Sequence, residues 1–350
     1  MKALVKVRPE PGAVEYMDWK MPVVKTGDVL IQVEAAGLCE ITDIPLYDWD
    51  IGVQTTVPEL PRVMGHEFAG IVAETGPQVT ELKKGDRVAV DPLLYCGDCY
   101  FCRDGLQNIC NNRPHLGLNI DGAFAQYISV RSKNVYKLDD RVSIEVGAMS
   151  ELLGIGLNAI ERIHMNTGDT VVVVAGGPLG LVTAVLSKHS GAAKVFVIGL
   201  EAESEGLEVA SRLGLTVIPT EILDPKEFIL DRTDGMGADI VFVFGTPLSP
   251  PRVVRPLDIV RKRGKVGIVG FRHKLTELPV ERLAMEEIEV VGCRACMPKT
   301  YLRVLRMTSL AQQDLNQIIT HRLPLSAGEK GIKLMKSRKG LKIVLMPQQL

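Results

Sequence analysis

The stretch "VVVVAGGPLGL", Val171–Leu181, decides the fold. Four consecutive β-branched residues read as a strand buried on both faces, and "LGLVTAVLSKHSG" (179–191) carries the texture of a helix. Between them lies a glycine-rich turn. Set against G-x-G-x-x-G it reads Ala175-Gly176-Gly177-Pro178-Leu179-Gly180, with alanine in the first place. Strand, turn and helix in that order present free backbone N–H groups and a favourable dipole to a pyrophosphate. Gly177 and Gly180 supply the close backbone approach and the helix–strand packing, and a second strand candidate follows at 195–198. A glycine-rich turn without a ligand is the rival reading; the strand–turn–helix context favours a dinucleotide.

Working outward, "VFVI" (195–198), "IVFVF" (240–244) and "VGIV" (266–269) are further continuous apolar runs, separated by helical stretches such as "EGLEVASRLG". This alternation predicts a doubly wound parallel sheet. Gly199 stands where an acidic partner for the ribose 2′-hydroxyl is expected, and Glu201 follows two residues later. Glu201 would accept from a hydroxyl and repel a phosphate, so NAD is expected, with NADP the alternative. Gly245, Val269 and Gly270, at the ends of later runs, complete the candidate cofactor-binding set.

Before Glu151 the texture differs. "VLIQVEAAG", "HEFAGIVAETG", "DRVAVDPLL" and "AFAQYISVRS" are short β-rich runs broken by Gly, Pro and Asp. After about Val291 come a helical "TYLRVLRM", then "ITHRLPLS" and a closing strand candidate "LKIVLMP". The carboxyl tail is expected to return to the first domain. The domains expected are 1–153 with 294–350, and 154–293.

A formal net charge of -1 over 350 residues leaves no footprint for nucleic acid or an anionic membrane. The start reads as no signal peptide, and the longest apolar stretches are too interrupted to span a bilayer. Seven cysteines, four of them within 96–110, fit reduced thiols and a cytoplasmic setting better than a disulfide scaffold.

Those four, in "CGDCYFCRDGLQNIC", give C-x2-C-x2-C-x7-C: Cys96, Cys99, Cys102 and Cys110. The set suits a closed structural zinc site that stabilises a loop without a core of its own. A redox pair needs only two cysteines, and iron–sulfur runs differ in spacing. Cys293 and Cys296 form another C-x-x-C, with no second pair beside it, and read as small semi-buried thiols. Elsewhere "GLCEITDIP" offers Cys39, "MGHEFAG" offers His66 and Glu67, and "MSELLGIG" offers Glu151. One thiolate, one imidazole and carboxylates make a catalytic zinc set with a position left open.

Together, "GLC…TD", "GHEFAG", the four-cysteine lobe, "DGAFAQY", "VVVVAGGPLGL", "ITHRLPL" and "LKIV" resemble the zinc-dependent medium-chain dehydrogenase/reductase family over nearly the whole chain. The resemblance is to its polyol, galactitol phosphate and threonine dehydrogenase branch. It implies an α/β chain: a GroES-like β-rich catalytic domain and a Rossmann domain. It also implies two zinc ions, one catalytic at Cys39, His66, Glu67 and Glu151 and one structural at the lobe. The reaction implied is reversible oxidation of a secondary alcohol to a ketone, in a homodimer or homotetramer. Thr42 would take the alcohol's proton, and Asp43 would orient His66. The family usually reads C-G-[ST]-D; here Cys39-Glu40-Ile41-Thr42-Asp43 is one residue longer, and Pro45 stands where a relay histidine is common. Glu40 or ordered water is the expected proton exit. Two rivals are a zinc-free enone reductase using NADPH and a non-enzymatic zinc scaffold. The candidate ligands argue against the first, and the dinucleotide turn against the second.

Overall fold

In the computed structural model, which describes residues 1–50, 59–245, 255–270 and 279–349, the chain splits into two compact units, Met1–Gly154 with Cys296–Leu350, and Ile155–Ala295. Most of the loop 46–60, a candidate for lining a substrate pocket, lies outside the described residues.

The first unit opens with strands β1 (Lys2–Lys6), β2 (Val14–Asp18), β3 (Asp28–Gly37), β4 (Arg62–Val63) and β5 (Glu67–Thr75). It continues with β6 (Arg87–Val90), β7 (Tyr127–Arg131) and β8 (Val135–Lys137). The second unit holds β9 (Thr170–Val174), β10 (Lys194–Gly199), β11 (Thr216–Pro219), β12 (Ala238–Gly245), β13 (Val260–Gly270) and β14 (Glu289–Cys293). The tail then adds β15 (Ile319–Pro324) and β16 (Lys342–Met346) to the first unit.

Among the described residues the first unit carries a mixed sheet ordered β15-β16-β3-β5-β6-β8, with β7 also paired to β3. A smaller sheet, β2-β1-β4, stands beside it. The long β3 and β5 run antiparallel, with register shifts at Leu30/Ile31 and Val33/Ala35. Such bulges bend a strand and raise its twist, as barrel-like sheets require. Phe68, Phe124, Leu38, Met64 and Ile31 are packed in one core. The closing strand predicted at "LKIVLMP" is β16, paired to β3 at Val344–Gly37 and Leu345–Ala36.

The second unit is a six-stranded parallel sheet ordered β11-β10-β9-β12-β13-β14. Val171 to Val174 are buried because helices cover both faces of such a sheet. The order reverses beside β9, and ligands of doubly wound sheets bind at the carboxyl ends of strands at such a switch point. Among the described residues no helix is long and apolar enough to cross a membrane.

Candidate metal centre and dinucleotide turn

Strand β3 delivers Cys39 two residues past its end, and the chain turns at once into the short helix Asp43–Asp48. The extra residue between Cys39 and Asp43 is absorbed by that turn. Asp43 N–H donates to the Cys39 carbonyl at 2.9 Å, while Asp43 Oδ2 accepts from Cys39 N–H at 2.8 Å. The two residues are therefore locked reciprocally. Asp43 Oδ1 comes to 4.0 Å from His66 Nδ1, just beyond hydrogen-bond reach. Thr42 sits at the N-cap but makes no side-chain cap bond, so its hydroxyl is not committed to the helix. Pro45 is third in that helix, where the N–H has no intrahelical partner, so the ring costs no hydrogen bond.

His66 and Glu67 come from the start of β5. Gly65 before them has φ +88°, and a Cβ there would stand 2.2 Å from the Phe124 ring. Phe124 of "DGAFAQY" therefore excludes any larger residue at the head of "GHE". Cys39, His66 and Glu67 each offer a ligand atom, and these three atoms lie within 4.8 Å of one another. His66 is 2% exposed, and burial, reinforced by His115 and Lys342, holds its imidazole well below its ordinary pKa and hence neutral. Its ring meets His115 edge-on with centroids 4.7 Å apart. Burial among the Glu67 and Asp43 carboxylates raises the Cys39 thiol well above its usual value. Asp43 is pushed up to about 7 by burial, against the pull of the Cys39 N–H.

Glu151 lies in the first turn of helix Ser150–Arg162 and is buried, but its carboxylate is not in that three-atom group. It is near enough for Glu67, Asp91 and Asp43, after burial itself, to raise its pKa strongly. Glu40 is half-buried and engaged with a neighbour.

The Cys96, Cys99, Cys102 and Cys110 thiols also lie within 4.8 Å of one another. Sulfur separations of 3.9 Å (Cys96–Cys102), 3.8 Å (Cys99–Cys110) and 3.4 Å (Cys96–Cys110) bracket the ~3.8 Å edge of a tetrahedron with Zn–S bonds near 2.3 Å. Backbone N–H groups of Asn111 and Cys102 lower Cys99 to about 6, whereas burial raises Cys102 to about 12. Cys293 and Cys296 are buried and not joined in a disulfide.

In the second unit, β9 runs into Ala175 and the twelve-residue helix Pro178–His189, with Gly177 as N-cap and no side-chain cap. A Cβ on Gly180 would stand 2.7 Å from the Ala175 carbonyl oxygen, so glycine there lets helix and turn close. Pro178 and Leu179 are buried in the first helical turn, and Gly199 closes β10. Gly245 and Gly270 face each other in register at the ends of β12 and β13, with Val269 one step before. Glu201 is exposed in the short 3₁₀ turn Glu201–Glu203.

The alcohol dehydrogenase GroES-like domain model matches residues 25–140, and the zinc-binding dehydrogenase model matches 178–309. The chain is 34% identical to an L-threonine 3-dehydrogenase of Caldanaerobacter subterraneus, over 99% of each. It is 32% identical to a sorbitol dehydrogenase of Halalkalibacterium halodurans, again over 99% of each. The chain belongs to the zinc-dependent medium-chain dehydrogenase/reductase family. It is 30% identical to a D-arabitol-phosphate dehydrogenase of Enterococcus avium, over 99% of this chain and 97% of the other. Among solved structures, the alcohol dehydrogenase TADH from Thermus sp. ATN1 superposes with a TM-score of 0.88 at 27% identity, over 99% of both chains.

A zinc-dependent dehydrogenase needs ligands that await a cation, and the residues present fit. His66 Nδ1, Glu67 Oε1 and Asp43 Oδ1 are buried without a hydrogen-bond partner, an arrangement costly unless an ion satisfies it. The four lobe thiols sit at zinc-like separations. The glycine turn offers the uncapped helix start a dinucleotide requires.

One residue the sequence reading missed sits at the centre. Lys342 of β16 is 1% exposed, and its Nζ donates to Glu67 Oε2 at 2.5 Å and to the Leu38 carbonyl at 2.8 Å. Burial opposes its charge, but Glu67, Cys39 and Asp43 together outweigh that and hold the ammonium above its ordinary pKa. Its signal was a lone cation inside the apolar run "LKIVLM". His115, edge-on to His66, was missed with no comparable signal.

Proposed function

We propose that this dehydrogenase oxidises the secondary hydroxyl of a polyol, sugar alcohol or sugar-alcohol phosphate. The observation that carries it is the buried trio of Cys39, His66 and Glu67 with atoms lacking partners, in a chain that also holds a dinucleotide turn. The named relatives act on threonine, sorbitol and arabitol phosphate, all of which bear a secondary hydroxyl.

Cys39, His66 and Glu67 would hold a catalytic zinc, with Glu151 in reserve nearby, and the four-cysteine lobe a structural one. When bound, the catalytic zinc polarises the alcohol oxygen and the nicotinamide takes the hydride. The chain's own residues do the rest. Thr42 Oγ1, uncommitted at the N-cap, accepts the hydroxyl proton and passes it to water by way of Glu40. Asp43 holds the Cys39 backbone and stands 4.0 Å from His66 Nδ1, setting the turn that carries one ligand beside the other. Lys342 draws one oxygen of Glu67 away and leaves the other for the ion. The cofactor is NAD rather than NADP, and the enzyme works as a homodimer or homotetramer in the cytoplasm.

Initial rates against polyols, sugar phosphates, threonine and simple secondary alcohols, each with NAD and NADP, test this. Rates confined to polyols or their phosphates with NAD are expected. A high kcat/KM for threonine alone would move the chain to the threonine class. Turnover only of activated double bonds would overturn the proposal.

A further inference from the structure

The acidic residue that a nucleotide-binding sheet places at the end of its second strand reads the adenosine ribose. Here that strand, β10, ends in Gly199, which has no side chain to offer. The chain then passes through the short turn Glu201–Glu203 before helix Ser204–Arg212 begins, and this turn sets Glu203 against the glycine turn. A Cβ on Gly176 would stand 2.7 Å from Glu203 Cβ and 3.3 Å from Glu203 Cδ. A Cβ on Gly199 would stand 3.3 Å from Glu203 Oε2. That oxygen accepts from Leu200 N–H at 3.1 Å, which fixes the side chain across the ends of β9 and β10. Gly206, one turn on, fits so closely that a Cβ would stand 1.9 Å from the Gly176 carbonyl oxygen, so the whole 203–206 segment is seated on the turn.

We propose that Glu203, rather than Glu201, is the carboxylate that reads the adenosine ribose and rejects a 2′-phosphate. The assignment rests on the reading of the turn as a nicotinamide-dinucleotide site. A carboxylate has about four acceptor positions, so Glu203 can hold Leu200 N–H and a further neighbour and still accept from a ribose hydroxyl. Glu201 is exposed on the outer side of the same turn. The nearby Glu201 backbone N–H holds the Glu221 carboxyl below its usual range.

The test is titration of NADH and NADPH into the full-length zinc-loaded protein, read by nucleotide fluorescence with no substrate present. Wild type is expected to bind NADH more tightly than NADPH. Glu203→Gln, which retains an oxygen for Leu200 N–H, should weaken NADH by about tenfold or more, the worth of one charge-assisted hydrogen bond. It should at the same time strengthen NADPH. Glu201→Gln should leave the ratio of the two within about twofold, as removal of an exposed charge does. The assignment is overturned if Glu201→Gln collapses the ratio while Glu203→Gln does not. Equal weakening of both nucleotides by Glu203→Gln would also overturn it, since a purely structural turn residue behaves that way. A wild type that binds neither nucleotide would instead overturn the dinucleotide reading itself, and the assignment with it.

Discussion

Lys342→Met removes the ammonium held against Glu67 and keeps most of the volume and apolar length of the stem. The pair is 1% and 0% exposed at the two side chains, so no water replaces the lost partner. Breaking a buried ion pair from one side costs about 3–5 kcal/mol, because the remaining charge is left uncompensated. In a unit of roughly 200 residues, each kcal/mol lowers Tm by about 2–4 °C, so a fall of about 6–20 °C is expected in chelator-treated protein. The loss should be smaller with zinc bound, since a dication then also faces Glu67. Scanning calorimetry on the wild type, Lys342→Met, Glu67→Gln and the double variant measures this. The double variant should recover at least half of the single-variant loss, because neutral Glu67→Gln no longer needs a cation. A Tm drop below about 2 °C for Lys342→Met, or strict additivity in the double variant, would refute the reasoning.

Cys102→Ser should strip zinc from the 96–110 loop and open it to proteolysis, because a metal on its four clustered thiols would tie the loop together; limited digestion with metal analysis checks both. Asp91 is 2% exposed and burial raises it to about 7. A raised carboxyl contributes stability that is complete below the unfolded value near 4 and lost as pH rises through 7. Asp91→Asn should therefore be close to wild type in urea melts at pH 4 and more stable by up to about 4 kcal/mol at pH 8–9; equal stability at both would contradict the burial argument. Glu40→Gln should alter the acid limb of the pH–rate profile and reduce kcat by about tenfold if Glu40 carries the proton out. An unchanged profile would remove Glu40 from that path.

The parallel sheet was legible because its strands, buried on both faces, leave continuous apolar runs such as Val171–Val174 and Ile240–Phe244. The four-cysteine cluster was legible because its thiols stand at close spacing along the chain. The trio of Cys39, His66 and Glu67 could be nominated from sequence, but not its neighbours. Lys342 reaches Glu67 only because β16 returns from 275 residues away to pair with β3, a contact no local pattern encodes. Glu203 was not singled out in the sequence because strand-end spacing counts residues, while the 3₁₀ turn sets its side chain beside Gly176 and Gly199. The longer Cys39–Asp43 interval shows the same limit. Counted along the chain it displaces Asp43, yet folded into a turn it returns the carboxylate to His66.

The central claim is that Cys39, His66 and Glu67 form a catalytic zinc centre separate from the four-cysteine lobe. Zinc quantification on the Cys39→Ser variant, paired with alcohol-dependent NADH formation, tests it most directly. With two ligand clusters among the described residues, the account predicts two zinc ions per wild-type chain, one in the variant, and loss of turnover with the lobe still loaded. A variant that keeps both ions, or that turns over at the wild-type rate with one, would contradict it.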